Sequence, residues 1–433
     1  MKRLLIALCC VSLLTPGHFA SAYHPTTITV ESLDGKISFE LSNANDVSGA
    51  SLAIADLGDD GVPEIIVGNG MGFEPRVHVL RQDGSEIGSF LAYDASLGVG
   101  VNVVVCDLTG DGYNEIIVSP QRGGGPHIRV FSRYGEAIDG GGFFAYNESM
   151  REGVNLACGD LANDDAEELV TLPAAGGGPH VRVWSWDNGQ QLIENFFAFH
   201  TDDRSGLVGA IQDRTLIVVQ QFTSLPIMKN IVIHNTVTTT SEENISIDGL
   251  GVEAITVVDG ERYLSTSSSP TLYNLTQHSK TTLPLNHATL ASFEDELFFT
   301  SGRFLFDDST EEQRIEVDVS EQRLYAFERG ILRNSFLISS GLNNATPIGT
   351  HSVLAKIPLV HYAWNYGENN PNNYDLGWIP YNLRFYPHIY IHYAPWHNNF
   401  GHQMSHGCVN VNLPNIQWLY DWSNENIPVE IKT

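Results

Sequence analysis

The chain has 433 residues, 51 of them Asp or Glu against 23 Lys or Arg, for a formal net charge of −28 at pH 7. So acidic a balance excludes nucleic acid as a partner, because phosphate binding needs a basic face. The length suits two or three domains, and 40 glycines among short Val/Ile runs point to β-structure.

Residues 1–22, "MKRLLIALCCVSLLTPGHFASA", combine a Lys2-Arg3 head, an apolar run and an Ala-Ser-Ala end. That pattern predicts a secretory signal peptide cleaved after Ala22, and hence export to a periplasm, cell envelope or extracellular space. The run is short for a membrane span and no later segment is apolar enough, so the chain is not expected to span a membrane. Loss of Lys2 and Arg3 takes the net charge from −28 to −30. Cys9 and Cys10 leave with the signal, so Cys106, Cys158 and Cys408 remain, and an odd number keeps one thiol single. Cys106 and Cys158 differ by one residue in repeat phase, so on equivalent strands they are expected to face opposite sides and not to pair.

Three passages repeat: "ADLGDDGVPEIIVGNGMGFEPRVHVL" from Ala55, "CDLTGDGYNEIIVSPQRGGGPHIRVF" from Cys106 and "GDLANDDAEELVTLPAAGGGPHVRVW" from Gly159. Each leads to an aromatic close, "FLAY" at Phe90, "FFAY" at Phe143 and "FFAF" at Phe196, with spacings of 51 to 53 residues. Each unit reads as four strands joined by an acidic turn, a Gly-rich turn and a further turn, which is a propeller blade. The units resemble the FG-GAP repeats of integrin-type propellers, and "GGGPHIRVF" with "FFAY" is similar to a bacterial version of that family. Residues 206–310 keep the strand alternation and lose the signature. The expected fold class is mainly β, with a propeller over residues 23–310. Six blades are favoured over seven, and "TTITVESLDGKISFEL" closes the ring, since an open propeller would expose edge strands.

The resemblance implies that the acidic turns can hold structural Ca²⁺, a hard cation that wants several oxygens from one tight loop. In the second repeat the candidates are Asp107, Thr109, Asp111 and Glu115, with Gly112 at the turn. The first repeat offers Asp56, Asp60 and Glu64 but has Gly58 at the third position, and the third repeat has Ala162 and Asp165 at odds with the pattern. The alternative is an Asx-type turn in which the carboxylates bond backbone amides without metal.

At about residue 312 the composition shifts to fewer charges and many aromatics, marking a second domain over residues 311–433. "RIEVDVSEQRLYAFERGILRNSFLISSG" alternates like paired hairpins with turns at Ser320–Gln322 and Gly330. "LPNIQWLYDWSNEN" places Ile416, Leu419 and Tyr420 at helical spacing after Pro414, and "PVEI" reads as a closing strand. "VDVSEQRLYAFERG", "TPIGT", "IHYAPWHNNFG", "SHGCVNV" and "QWLYDW" follow one another as in L,D-transpeptidase catalytic domains of the YkuD type, which this small β-rich domain resembles. His392 precedes Ser405-His406-Gly407-Cys408-Val409-Asn410 with twelve residues between His392 and Ser405. Tyr393-Ala394 departs from the Gly-Thr of many members.

A cysteine of ordinary pKa, ~8.5, is mostly protonated at neutral pH and needs a base to become a nucleophile. The resemblance makes Cys408 the nucleophile and His392 its base, with the Tyr393 carbonyl orienting the imidazole. It also puts the backbone N–H groups of His406, Gly407 and Cys408 around an oxyanion, with Ser405 and His406 in support and Asn410 holding the loop. The implied substrates are peptidoglycan stem peptides. Thioester formation on Cys408 needs no cofactor and leads to crosslinking, protein anchoring or trimming. Two rivals remain. His388, His392, His397, His402 and His406 crowd Cys408 as for a metal, although no HExxH pattern is present. Alternatively, the propeller binds a protein or glycan ligand as a secreted adhesion module and the C-terminal domain anchors it to the wall.

Overall fold

The structure is a computed structural model. It describes residues 28–41, 50–71, 74–138, 142–186, 189–234, 236–248, 251–267, 269–284, 288–300, 311–320, 322–364, 367–368 and 374–433. The expected signal peptide and the segment 301–310 before the expected domain boundary lie outside the described residues.

Six four-stranded antiparallel sheets form the first part. Their innermost strands are Ala50–Ala55, Val101–Cys106, Val154–Gly159, Leu207–Gln212, Val252–Val258 and Thr289–Phe293, and each contacts the next in a cycle that returns to the first. This is a six-bladed propeller. The sixth blade takes its two outer strands from the N-terminal side: Ile28–Ser32 pairs with Glu296–Thr300, and Ser38–Leu41 pairs with Ile28–Ser32. The ring is thereby closed without an open blade, as the N-terminal alternation predicted.

The repeated residues hold blade to blade. Asn102 Nδ2 donates to the Val154 carbonyl at 2.7 Å, and Asn155 Nδ2 repeats the bond to Leu207 at 2.8 Å. Tyr93, the last residue of "FLAY", places its hydroxyl between the carbonyls of Val118 and His127 in the following blade. Tyr146 does the same with Thr171 and His180. A hydroxyl buried between sheets needs such partners, so the tyrosine that closes the first and second repeats is an inter-blade clasp, while the third repeat closes on Phe199 without one.

Cys106 and Cys158 form a disulfide, contrary to the expectation from phase. The phase rule holds for neighbours in one sheet. Blades pack face against face, so residues that meet across the gap come from opposite faces, and a one-residue offset is what brings these two sulfurs together. The bond ties strands 52 residues apart, which in the chain-entropy account stabilises the fold by about 4 kcal/mol.

The acidic turns satisfy themselves. Asp107 accepts the amides of Gly110, Asp111 and Gly112 at 2.8, 3.2 and 2.8 Å, Asp111 accepts that of Tyr113, and Glu115 turns back to Leu108 N–H at 3.0 Å. In the first repeat Asp56 takes the amides of Gly58, Asp60 and Gly61, Asp60 that of Val62, and Glu64 that of Leu57. Burial pushes the Glu115 carboxyl up to about 7, with the charges of Asp111 and Asp107 adding to it. Among the described residues, the three-member gathering of His, Cys, Asp or Glu ligand atoms is Cys106, Cys158 and Glu167, not a set from these turns. Asp56, Asp60, Glu64, Asp107, Asp111 and Glu115 therefore serve as turn caps for backbone amides.

The second part is a two-sheet domain. Its strands are β1 (Arg314–Asp318), β2 (Arg323–Glu328), β3 (Ile331–Leu337), β4 (Gly349–Ser352), β5 (Ala355–Trp364), β6 (Tyr374–Tyr386), β7 (Ile389–Tyr393), β8 (Val409–Val411) and β9 (Pro428–Lys432), with helix α1 (Leu413–Trp422). One sheet runs β3-β2-β1-β9-β4 and the other β5-β6-β7-β8. Ile315, Val317, Leu324, Phe336, Leu383, Ile391, Val409, Ile416 and Leu419 fill the space between them. Asn412 caps α1 by accepting the Asn415 amide, and Pro414 sits in the first turn, where its missing N–H costs nothing.

Strand β2 is buried on both faces. Leu324 and Ala326 point into the domain core, while Tyr325 and Phe327 join Ile331 and Leu332 against Met71, Ala175 and Phe222 of the propeller. Beside this apolar contact Arg122 is buried and donates to the Ala175 carbonyl, and Arg333 pairs with Glu328 at 2.5 Å.

Because the carboxylates of the acidic turns are engaged by backbone amides, millimolar Ca²⁺ or a chelator should leave the melting temperature unchanged in differential scanning calorimetry. A Ca²⁺-dependent rise would contradict this assignment of the turns.

Candidate active site

The site rests on the parallel pairing of β7 with β8, in the register Ile391–Val409, His392–Asn410 and Tyr393–Val411. Matched residues of a parallel pair share a face, and residues two apart share it too, so His392, Asn410 and Cys408 gather on one side. Cys408, just ahead of β8, comes level with Tyr390, whose backbone N–H acts to lower the thiol pKa against the larger effect of burial.

His392 is 2% exposed. Its ring stacks on Tyr362 from β5, with centroids 4.4 Å apart, and Trp396 lies beside it at 5.8 Å. Nδ1 is 2.7 Å from the Tyr393 carbonyl, which can only accept, so the neutral ring carries its proton on Nδ1 and its lone pair on Nε2. Asn410 Nδ2 donates to that lone pair at 3.1 Å. Burial pushes the His392 pKa down to about 4 and the half-buried Cys408 thiol up to about 11. At neutral pH the two are therefore an uncharged thiol and an uncharged imidazole.

Residues 405–408 form a tight loop clamped by the segment 339–346. Ser405 Oγ accepts the Gly407 amide at 3.1 Å and donates to the Cys408 carbonyl at 2.5 Å. Thr346 Oγ1 donates to the Gly407 carbonyl at 3.0 Å and accepts the Gly341 amide at 2.8 Å. Gly407 has φ +141°, and a Cβ there would lie 3.2 Å from the Ala345 carbonyl. Only glycine adopts that conformation without strain, which explains its place between His406 and Cys408.

The expected residues of the C-terminal motif lie on β7 and in the loop that leads through Cys408 into β8, with two refinements. The Gly407 amide is engaged by Ser405, so it is not among the donors open to an oxyanion. Asn410 does more than hold the loop: its side chain bridges His392 and His397, at 3.1 and 3.3 Å. Among the described residues, Cys408 and the surrounding histidines do not form a three-ligand gathering of the kind a metal needs. The acidic residues of the propeller turns take no part in this site. Tyr362, Trp396 and Thr346 belong to it and were not singled out from sequence, and His397, read there as a possible metal ligand, belongs to it as a partner of Asn410. The alternation of "PLVHYAW" marks a strand, but its placement against His392 depends on pairing across the sheet.

Residues 312–431 match the profile of the YkuD family, the L,D-transpeptidase catalytic domain. Comparison with curated protein sequences returns no match. Among solved structures, the chain is similar to an L,D-transpeptidase from Mycobacterium smegmatis at 20% identity and a TM-score of 0.27, over 60% of this chain and 96% of that one. It is similar to L,D-transpeptidase 3 from Mycobacterium tuberculosis in complex with a faropenem-derived adduct at 17% identity and 0.27, over 42% and 98%. It is also similar to the catalytic domain of the E. faecium L,D-transpeptidase at 23% and 0.25, over 28% and 97%. The family profile carries the assignment: residues 312–431 are a YkuD-type L,D-transpeptidase catalytic domain, here following a six-bladed propeller.

Proposed function

We propose that the chain is an exported cysteine L,D-transpeptidase that acylates Cys408 with the peptidoglycan stem peptide, while the propeller (residues 23–310) docks the catalytic domain (311–433) on a wall polymer or protein. The observation that supports this most is the β7–β8 register, which brings Cys408 and His392, its Nδ1 held by the Tyr393 carbonyl, to one face of the sheet.

In this reading the Asn410 amide, which holds His392 Nε2 in the resting site, yields that nitrogen to the thiol, and Cys408 gives its proton to Nε2 as the sulfur attacks the carbonyl of the diamino acid at position three. The Tyr393 carbonyl then faces an imidazolium Nδ1–H and stabilises it. The oxyanion is met by the backbone N–H of Cys408 together with that of His406, each well-placed donor lowering the barrier by ~3 kcal/mol. Collapse breaks the peptide bond, His392 passes its proton to the departing D-alanine amine, and a thioester remains. An acceptor amine attacks the thioester, His392 takes the amine proton, and the proton returns to sulfur as the new amide forms. A stem-peptide amine gives a crosslink, a protein lysine an anchor, and water gives trimming. The stacked Tyr362 and nearby Trp396 keep bulk water from the base.

Incubation of the mature protein with tetrapeptide muropeptides should release D-alanine, and Cys408→Ala should lose this by a factor on the order of 10³ or more. Unchanged release in the variant would refute the proposal. The pKa shifts set a second outcome. A thiol raised to about 11 ionises only as pH climbs toward that value, so alkylation of the free enzyme by iodoacetamide should rise about tenfold per pH unit between pH 7 and 10. A plateau beginning near neutrality would mean a thiolate–imidazolium ion pair instead.

A further inference from the structure

The proton order around the base extends one residue beyond the motif. Asn410 is 1% exposed, and its amide lies between two imidazoles: Nδ2 faces His392 Nε2 at 3.1 Å and Oδ1 faces His397 Nε2 at 3.3 Å. His397 packs its ring on Phe400, with centroids 4.9 Å apart, and its Nδ1 is buried without a hydrogen-bond partner. One proton distribution fits all of these contacts. The Tyr393 carbonyl requires Nδ1–H on His392, so His392 Nε2 must accept, and Asn410 must therefore present its NH₂. The Asn410 oxygen then faces His397 and requires Nε2–H there, which leaves the orphaned Nδ1 as a lone pair.

The reversed amide fails at both ends. Asn410 Oδ1 would oppose the His392 lone pair, and His397 would have to accept at Nε2 and carry its proton on Nδ1, a buried donor without an acceptor. An unsatisfied buried donor is the costlier error, so His397 biases Asn410 toward the orientation that His392 needs.

We propose that His397 is a positioning residue for the base: by donating from Nε2 to Asn410 it fixes the amide, and through the amide the Nδ1–H tautomer of His392. This inference rests on the proposed role of His392, but its first readout does not. The other titratable groups around His392 are Tyr362 and Cys408, and both are kept in the variants below.

The test compares His397→Phe, which keeps an aromatic ring and removes the donor, with His397→Gln, which keeps a donor. Ring ¹⁵N spectra of histidine-labelled full chain at pH 7.5, with His392 assigned by its own substitution, report the His392 tautomer without any substrate. The wild type and H397Q should show the Nδ1–H form, and H397F should lose it in favour of a mixture or the Nε2–H form. With tetrapeptide muropeptides, kcat of H397F should fall about tenfold with KM little changed, and H397Q should recover most of it. Retention of the wild-type tautomer in folded H397F would overturn the inference. So would equal losses of melting temperature and activity in both variants, which would mark His397 as a packing residue. If H397F does not fold, H397A carries the same two readouts. Should no variant, nor the wild type, process muropeptides, the substrate assignment fails while the tautomer result still decides the role of His397.

Discussion

The short parallel ladder between residues 389–393 and 409–411 is the constraint on which the chemistry of this protein depends. Parallel strands place matched residues on one face, and this register sets His392 beside Asn410 with Cys408 two residues back. A slip of one residue would turn the cysteine and the asparagine to the opposite side of the sheet from the histidine. The register is held by the domain core, where Ile391 and Val409 are both fully buried, and by the exchange of backbone bonds between Ser339 and Asn410. The reactive loop has little freedom of its own, because Ser405 and Thr346 tie both ends of the Gly407 peptide units.

The environment built on that ladder is apolar, and this decides the resting state. With Tyr362 stacked on the imidazole and the sulfur half-buried, neither charge of an ion pair is stabilised, so the thiol stays protonated and the base stays neutral. A thiol that stays protonated at rest is protected from adventitious oxidation. The pairing of Cys106 with Cys158 inside the propeller leaves Cys408 as the single free cysteine among the described residues.

Much of this was legible in the sequence, and the failures have one physical origin. Repeats of 51 to 53 residues, the acidic turns and the N-terminal alternation led to a propeller of six blades with a shared closing blade. Ile416 and Leu419 at helical spacing after Pro414 led to α1. These are local patterns. The disulfide was misjudged because strand phase was compared within one sheet, whereas Cys106 and Cys158 meet across two. Tyr362 and Thr346 escaped notice, and His397 was weighed only as a metal ligand, because their roles arise from contacts between segments that no spacing encodes. The acidic turns fit both a metal loop and an Asx turn by residue type, and the structure adds that their carboxylates cap backbone amides.

The central claim is that Cys408 becomes the acyl carrier. Intact-mass analysis of reduced, folded protein quenched in acid during turnover of a tetrapeptide donor tests it most directly, with peptide mapping of any adduct. An added mass equal to the donor less D-alanine, located on Cys408 and removed by hydroxylamine, is the predicted result. An unmodified Cys408 in protein that is releasing D-alanine, or an adduct on another residue, would contradict it.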